Sequence, residues 1–497
     1  MPEGLFILVA GGLLAGTLVA AVVADTLRLP ALVLFLVIGM AAGSDGAGWI
    51  RFDDYELARQ IGTLALSLIL FEGGLSMTVD ELRPVLRPAL GLAVVGTIVT
   101  AVLTGVAAGV LLGLAPLSAL LLGAILASTD GAAVFAMLRG SRLRRRVVAT
   151  LEGEAGLNDP IAMLLVVGFT SWSQDPGYGL ADMAVLFVTQ LVVGAVAGIA
   201  VGRLGGQVMR RLPLPSAGLY PVATIAIAAI AYGAAITLGG SGFLAVYLAG
   251  LTLASGALPA RMTVTIFHQG VAWLSQVALF LTLGLLVFPA ALPTVWSQGT
   301  LLTLFLVFVA RPVAVAVATA LDRFTPAERM LLSWAGLRGG VPVVLATLPV
   351  VAHVPGSLRF FDVVFFVVVI STLAQGMTFE PLARSLGLLA GSEDPAVAAP
   401  ALQHGAWSGA LGDPAHPVRL AGAAVVAHLR TRRDTAGALV ALSDGRHAIT
   451  GPTLTVGSMG QLRRYAEERL VRSGDEAERA WWRDLATLLR RPGDERP

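Results

Sequence analysis

Residues 151–160, with the sequence LEGEAGLNDP, lie inside an otherwise apolar run that extends over residues 147–169. Acidic side chains at bilayer depth are costly and rare, so acids in such a run indicate a functional site. With about 100° between successive helical residues, Glu152 and Asp159 lie about 20° apart, and Glu154 and Asn158 lie about 40° apart on another face. One face of the predicted helix can therefore hold an ion while the other supports it.

The depth of Asp159 follows from the arginines that precede this run. Asp159 comes 13 residues after Arg146, which is roughly 20 Å along a helix axis. A hydrocarbon core is about 30 Å thick, so Asp159 is expected near its middle. Five arginines form the cluster: Arg139, Arg142, Arg144, Arg145 and Arg146. We interpret this cluster as a topology signal in contact with lipid headgroups.

The composition is that of a multi-pass membrane protein. Of 497 residues, 56% are hydrophobic and 13% are charged, and the mean hydropathy is +0.80. Repeated apolar runs of helical length exclude an outer-membrane barrel, whose strands would be about ten residues of alternating polarity. The absence of cysteine excludes disulfides and thiolate chemistry. The first apolar run is long enough to span and has no basic region before it, so it is interpreted as a membrane helix.

Apolar runs separated by charge, proline or glycine predict about thirteen transmembrane helices in an all-α fold. They lie near residues 5–24, 29–43, 59–78, 89–114, 116–138, 147–171, 181–202, 217–238, 241–256, 264–288, 296–320, 328–352 and 360–380. Loops on one side carry 14 arginines and loops on the other side carry three. The positive-inside rule then predicts an inner-membrane protein whose N-terminus is outside and whose C-terminus is cytoplasmic.

Two of these spans are interrupted by polar or helix-breaking residues. The fifth contains residues 127–131, ASTDG, and the twelfth contains residues 334–342, WAGLRGGVP. Such breaks at matching positions of two halves indicate a secondary transporter's binding site, and an offset of seven spans predicts inverted six-helix repeats with crossing broken helices. Arg311-Pro312 in the eleventh span competes with the twelfth span to be the second break.

The composition changes after the last span. We divide the chain into a membrane domain over residues 1–390, a flexible linker rich in proline, alanine and glycine over 391–416, and a soluble domain over 417–497. A central Asp-Gly between two apolar stretches predicts a hairpin, and two helical stretches follow. The third segment is therefore predicted to be a small cytoplasmic α+β domain, regulatory in role, with no dinucleotide loop of the GxGxxG kind.

Four motifs, in this order and spacing, resemble the cation:proton antiporter-1 family, the NhaP and sodium/proton exchanger branch. They are residues 71–75, FEGGL; 128–135, STDGAAVF; 152–160, EGEAGLNDP; and 336–341, GLRGGV. Residues 371–378, STLAQGMT, are a weaker fifth match. The resemblance covers residues 1–390 and implies exchange of a monovalent cation for a proton by alternating access in a homodimer.

The resemblance also implies roles for individual residues. Asp159 matches the carboxylate that binds either the cation or a proton. Asn158 stands where electrogenic relatives of a sister family have a second acid, which implies electroneutral exchange. Thr129 and Asp130 match the crossing of the broken helices, where Thr129 would offer a ligand oxygen and Asp130 would offset helix dipoles.

Further residues are expected to support this site. Glu154 and Arg338 match a buried structural ion pair. Glu72 matches an acid seen near the site in some relatives, and Ser128 and Glu152 are further candidate neighbours. Many relatives have a hydroxyl residue beside the matched glutamate, where this chain has Ala155. The missing oxygen leaves the choice between Na⁺ and K⁺ open.

The chemistry predicts antiport without the family name. Alkali cations prefer oxygen ligands, and a carboxylate desolvated at mid-membrane is open to competition between a cation and a proton. We therefore expect no enzyme activity, no cofactor, no nucleic-acid partner, and a metal site only for the transported alkali cation at Asp159. An electrogenic antiporter and an inactive, transporter-like sensor that signals through its C-terminal domain are the alternatives.

Overall fold

The computed structural model describes residues 3–27, 30–131, 134, 143–175, 177–212 and 214–389. The chain divides into two units, one of Met1–Arg139 with Arg146–Leu388 and one of Gly140–Arg145 with Leu389–Pro497. In the second unit, an isolated antiparallel bridge joins Leu143 to Leu389. The predicted linker, 391–416, and the predicted α+β domain, 417–497, lie outside the described residues.

The regular elements among the described residues are helices. We number them α1 (Glu3–Leu27), α2 (Ala31–Ala42), α3 (Tyr55–Ser76), α4 (Val79–Leu112), α5 (Pro116–Ala127), α6 (Arg145–Gln174), α7 (Leu180–Arg211), α8 (Leu219–Thr237), α9 (Gly242–Ala254), α10 (Arg261–Leu285), α11 (Pro293–Ala318), α12 (Pro326–Trp334), α13 (Gly340–Val351) and α14 (Ser357–Ser385). The twelfth predicted span coincides with the pair α12 and α13, and every other span except the fifth coincides with one helix. The fifth, 116–138, coincides with α5 as far as Ala127, and residues 132–133 and 135–138 of it lie outside the described residues. Within the described part, six helices are long and apolar enough to cross a membrane: α4, α7, α8, α10, α11 and α14.

Local sequence signals account for several helix ends. The Asp54 carboxylate caps α3 by accepting a hydrogen bond from the backbone N–H of Leu57 at 2.9 Å. Thr325 and Glu328 form a capping box at the start of α12, where Pro326 takes the first helical position. At the end of α4, Gly113 has φ of 66°, a left-handed conformation that glycine adopts without steric cost.

Two helices in the middle of the molecule contain a π-helical turn. The turn in α4 covers Gly91–Gly96, and the turn in α11 covers Leu306–Ala310. Each turn packs against the helix that carries the other. Arg311 and Pro312 follow the second turn directly, inside a helix that continues to Ala318. Arg311-Pro312 therefore does not interrupt the eleventh span, and the second broken helix is the twelfth span.

Two helix crossings near the centre depend on paired glycines. Gly39 of α2 meets Gly284 of α10, and Gly74 of α3 meets Gly250 of α9. A Cβ atom at any of these positions would overlap the backbone of the opposite helix. Helix α3 packs against both α9 and α10, and it forms one wall of the site described next.

Candidate functional site

The acidic helix α6 places its polar residues in the interior of the molecule. Asp159, Asn158 and Glu154 are 4%, 1% and 2% exposed, whereas Glu152 is only half-buried. Pro160 lies inside α6 and has no N–H, so the carbonyl of Gly156 lacks its usual helical donor. The polar faces inferred from the helical period are thus buried in protein and not turned toward lipid.

The first helix break faces α6 directly. Helix α5 ends at Ala127, residues 128–130 are extended, and helical backbone resumes at Gly131. Ser128 donates a hydrogen bond from Oγ to Oδ1 of Asp159 at 3.0 Å. Asn158 donates from Nδ2 to Oγ1 of Thr129. The break therefore brings two hydroxyl groups against the amide and the carboxylate of α6.

The second break crosses the first. Residues 335–339 separate α12 from α13, and the backbone N–H of Asp130 donates to the carbonyl of Leu337 at 3.0 Å. The Asp130 carboxylate accepts a hydrogen bond from the N–H of Gly340, the first residue of α13, at 3.2 Å. A carboxylate at a helix N-terminus interacts favourably with the helix dipole. Asp130 thus holds the two broken helices together at their crossing.

The four side chains Ser128, Thr129, Asn158 and Asp159 form a compact group of oxygen donors, each 4% exposed or less. Oδ1 of Asn158 is buried and has no hydrogen-bond partner. Unpartnered buried polar atoms are uncommon and call for an explanation. An alkali cation bound beside Asp159 would supply one, since it prefers such oxygens. Among the described residues, no group of three or more acidic or histidine side chains is arranged to hold another metal ion.

A cavity is lined by Asp159 together with residues of α3, α9 and α13. Its wall follows α3 from Arg59 and Thr63 to Leu70, and α13 and Met163 of α6 line the other side. Glu72 and Glu152 do not line this cavity. Glu72 is buried and accepts a hydrogen bond from Ser76 at 3.0 Å. Of the three predicted neighbours Glu72, Ser128 and Glu152, the structure thus shows Ser128 in direct contact with Asp159.

The predicted ion pair of Glu154 with Arg338 is wrong in its partner. Glu154 pairs instead with Arg311 of α11, at 2.6 Å between Oε1 and Nη2, and both side chains are 3% exposed or less. Arg338 donates from Nη1 to the carbonyl of Ser128 at 3.1 Å. Its position between α12 and α13 places it at the first break, whereas Arg311 lies in α11 and reaches Glu154 of α6.

Helix α14 contains a polar cluster whose role the sequence did not reveal. Ser371 accepts a hydrogen bond from the backbone N–H of Arg338 at 2.9 Å, and Thr372 donates to the carbonyl of Arg338 at 2.6 Å. Gln375 donates to the carbonyl of Trp334 at 2.9 Å. These side chains satisfy the backbone groups that the second break leaves without helical partners. The weak motif at 371–378 was the signal that could have identified them.

Comparisons with known proteins agree with this architecture. Residues 13–385 match the family described as sodium/hydrogen exchanger, transmembrane. The chain is 41% identical over 388 residues to the K(+)/H(+) antiporter NhaP of Alkalimonas amylolytica, covering 77% of this chain and 67% of that protein. It is 38% identical over 382 residues to the K(+)/H(+) antiporter NhaP2 of Shewanella sp. (strain ANA-3), covering 76% and 66%. The chain thus spans about two thirds of the length of these relatives.

A solved structure shares the fold. The sodium proton antiporter MjNhaP1 from Methanocaldococcus jannaschii, determined at pH 8, superposes with a TM-score of 0.63 at 20% sequence identity. The superposition covers 78% of this chain and the whole of that chain. At this identity the likeness establishes the helical architecture alone.

Proposed function

The chain belongs to the sodium/hydrogen exchanger family, as its motifs indicated, and we propose that it exchanges K⁺ for H⁺ across the membrane at a single carboxylate, Asp159. The observation that carries this proposal is the hydrogen-bonded group of Ser128, Thr129, Asn158 and Asp159 at the crossing of the two broken helices. Unwound helices at mid-membrane supply backbone and side-chain oxygens for coordinating cations. The site thus has the donors that an alkali cation requires.

Coupling follows from the presence of one carboxylate, Asp159, among the four side chains of the ion-binding group, since the Asp130 carboxylate is engaged with the start of α13. Bound K⁺ and a bound proton each neutralise Asp159, but they compete for the same oxygens. A buried carboxylate is costly to move without a counter-charge. If the site changes sides only when neutralised, each K⁺ carried one way is balanced by one proton carried the other way. Because Asn158 adds no second charge, the exchange is electroneutral.

Two observations favour K⁺ over Na⁺. Ala155 provides no hydroxyl beside Glu154, so the site has one oxygen fewer than many relatives, which suits a larger and less tightly coordinated ion. The curated relatives named above are K(+)/H(+) antiporters by their names. Na⁺ is the second candidate, because the structural neighbour is a sodium proton antiporter.

Alternating access is supported by the unequal packing around Asp159. The cavity beside Asp159 extends along α3 to Arg59, whereas nearer the start of α6 the Tyr247 ring packs on Gly156 and Leu82 packs on Gly153. By the predicted topology, the Arg59 end of the cavity faces outward and the packed end faces the cytoplasm. We infer that this conformation is open to the outside, and that opening at Gly153 and Gly156 produces the inward-open state.

Inverted repeats would relate the outward-open and inward-open conformations by symmetry. Such repeats require that each helix pair of the first half has a counterpart in the second half, and the observed pairs agree with this. With an offset of seven spans, α2 against α10 corresponds to α9 against α3, and each of these crossings has its pair of glycines. The π-helical turns of α4 and α11 also correspond. We propose thirteen membrane crossings in the inner membrane, with the N-terminus outside, in a homodimer.

The experiment that tests this function measures proton flux in proteoliposomes with an imposed pH gradient. KCl, NaCl and choline chloride are added in turn, with and without a voltage clamp set by an ionophore. Dissipation of the gradient by K⁺, indifferent to voltage, is the expected result. Flux that follows the membrane voltage would favour the electrogenic alternative, and absence of flux with every cation would favour the inactive sensor.

A further inference from the structure

Arg59 places a positive charge in the wall of a cavity that leads to a cation site. It lies on the first turns of α3, and its side chain is 32% exposed. Asp159 lines the same cavity. From Arg59 to Leu70 the wall spans eleven residues, or about 16 Å of helix. An uncompensated positive charge there would repel an approaching alkali cation, so its presence needs a physical account.

Glu56 compensates this charge. Its carboxylate accepts hydrogen bonds from Nε of Arg59 at 2.8 Å and from Nη2 at 2.5 Å, and a third from Gln60 at 3.0 Å. The two-pronged geometry fixes the guanidinium more firmly than a single contact would. Hydrogen bonds from Arg59 and Gln60 lower the pKa of Glu56, which precedes the span predicted at 59–78, to about 2. Both groups are therefore charged at the pH of any flux assay.

The pair contributes little to stability. The side chains of Arg59 and Glu56 are 32% and 43% exposed, and ion pairs that are open to solvent add little to the stability of a fold. Stabilising the fold therefore does not account for a charged pair beside the cavity that Arg59 lines. Its effect is expected on the electrostatic potential of the cavity, because low-dielectric walls focus the field of charges that line a cleft.

We propose that Glu56 and Arg59 form a charge-compensated mouth of the cavity, in which Arg59 weakens and Glu56 restores the attraction of the alkali cation toward Asp159. This inference rests on the proposed function and adds two residues that determine apparent cation affinity from one side of the membrane. Asp53 and Asp54, which precede α3, are exposed and lie outside the pair along the chain.

The test measures the KCl concentration that gives half-maximal proton flux in proteoliposomes. It compares the wild-type protein with Glu56→Gln, Arg59→Gln and the double variant. A unit charge about 15 Å from the ion, at an effective dielectric constant of 20 to 40, changes this concentration roughly three- to sixfold. Glu56→Gln should raise it, Arg59→Gln should lower it, and the double variant should return near the wild-type value. The maximal rate should stay within about twofold of wild type in all three.

Ionic strength separates an electrostatic role from a structural one. Added choline chloride shortens the Debye length to about 3 Å at 1 M. The ratio of each variant's half-maximal KCl concentration to the wild-type value should therefore approach one. The matched control is Arg359→Gln, since Arg359 is exposed and bonds to Gln298 at 2.9 Å without lining the cavity. That variant should keep the wild-type half-maximal concentration.

Four results would overturn the inference. The first two are a half-maximal KCl concentration that is unchanged in both single variants and one that rises in Arg59→Gln. The other two are a change in the maximal rate alone and a shift of the half-maximal concentration that persists at high ionic strength. Absence of K⁺-driven flux in the wild-type protein would overturn the proposed function and this inference with it. Normal wild-type flux with unshifted constants in the variants would overturn this inference alone.

Discussion

Among the described residues, the Asp159 carboxylate accepts one side-chain hydrogen bond, from Ser128 at 3.0 Å. Its burial to 4% exposure removes the water that would otherwise stabilise its charge. A carboxylate with few fixed partners in a dry environment takes its neutralising partner from solution, and a proton and a cation are the two available. The residue-scale account of exchange depends on this sharing.

Replacing Asp159 by asparagine is expected to abolish exchange, because the variant keeps the shape of the side chain but can neither release a proton nor neutralise a cation. Proton flux on addition of K⁺ should fall to that of protein-free liposomes, while the protein still elutes as a single folded species. The control is Asp80→Asn, an exposed acid on α4, which should leave the flux unchanged. Sustained exchange by the Asp159 variant would remove the carboxylate from the mechanism.

The buried pair of Glu154 and Arg311 makes a prediction about stability. Glu154→Gln leaves the Arg311 guanidinium buried without its counter-charge, which should destabilise the protein by about 3 to 5 kcal/mol. The exposed pair of Glu380 and Arg384 has the same chemistry at 2.8 Å, with side chains about 70% exposed. Glu380→Gln should cost less than about 1 kcal/mol. Thermal unfolding in detergent compares the two, and equal losses would show that the buried pair is not a structural brace.

Interior positions on α6 were predictable from the sequence, whereas the partners of these residues were not. The helical period and the distance from Arg146 identified Asp159, Asn158 and Glu154 as interior positions, because these depend only on one helix. The partner of Glu154 depends on how α11 crosses α6. Arg311 and Arg338 are both mid-depth arginines, and the sequence does not tell which one the crossing brings to Glu154.

At the scale of elements, the two broken helices depend on a close contact between a glycine and a carboxylate. A Cβ atom on Gly339 would collide with the carboxylate of Asp130, which accepts the hydrogen bond from Gly340. A glycine is therefore required at this position for the two extended segments to cross. The contact joins the candidate site, formed by α6 and the break after α5, to the start of α13.

Gly339→Ala should displace Asp130 and separate the two breaks. Exchange is expected to fall roughly tenfold or more, since displacements on the order of 1 Å in a binding site carry such costs. The control is Gly270→Ala on α10, where a Cβ atom would meet nothing within 4 Å and alanine favours the helix. K⁺-driven proton flux measures both, and wild-type flux in Gly339→Ala would contradict the role given to the crossing.

The breaks themselves were predictable because glycine, proline and charge within an apolar run leave a local signature. Their anchorage was not predictable, since Ser371, Thr372 and Gln375 of α14 act on backbone groups more than 30 residues away in the sequence. Such polar residues in a membrane helix are equally compatible with contacts inside their own helix. The π-helical turns of α4 and α11 likewise have no clear sequence signal.

At the scale of the whole molecule, every residue of the candidate site lies before residue 390. A chain shortened to residues 1–390 is therefore expected to keep K⁺-driven proton flux, because the ion donors, both breaks and the α14 cluster are all present. The measurement compares the maximal rate of the shortened and full chains in proteoliposomes at equal protein content. Loss of flux in a shortened chain that still folds would place an essential part of transport in residues 391–497.

The pH dependence of the apparent K⁺ affinity tests the central claim most directly, since that claim is competition between K⁺ and H⁺ for Asp159. The half-maximal KCl concentration is measured at successive pH values on one side of the membrane, with choline chloride holding ionic strength constant. Once protons occupy most sites, each further unit of acidification should raise this concentration about tenfold, because the ligands exclude each other. A half-maximal concentration that stays constant while the maximal rate falls would contradict a shared site.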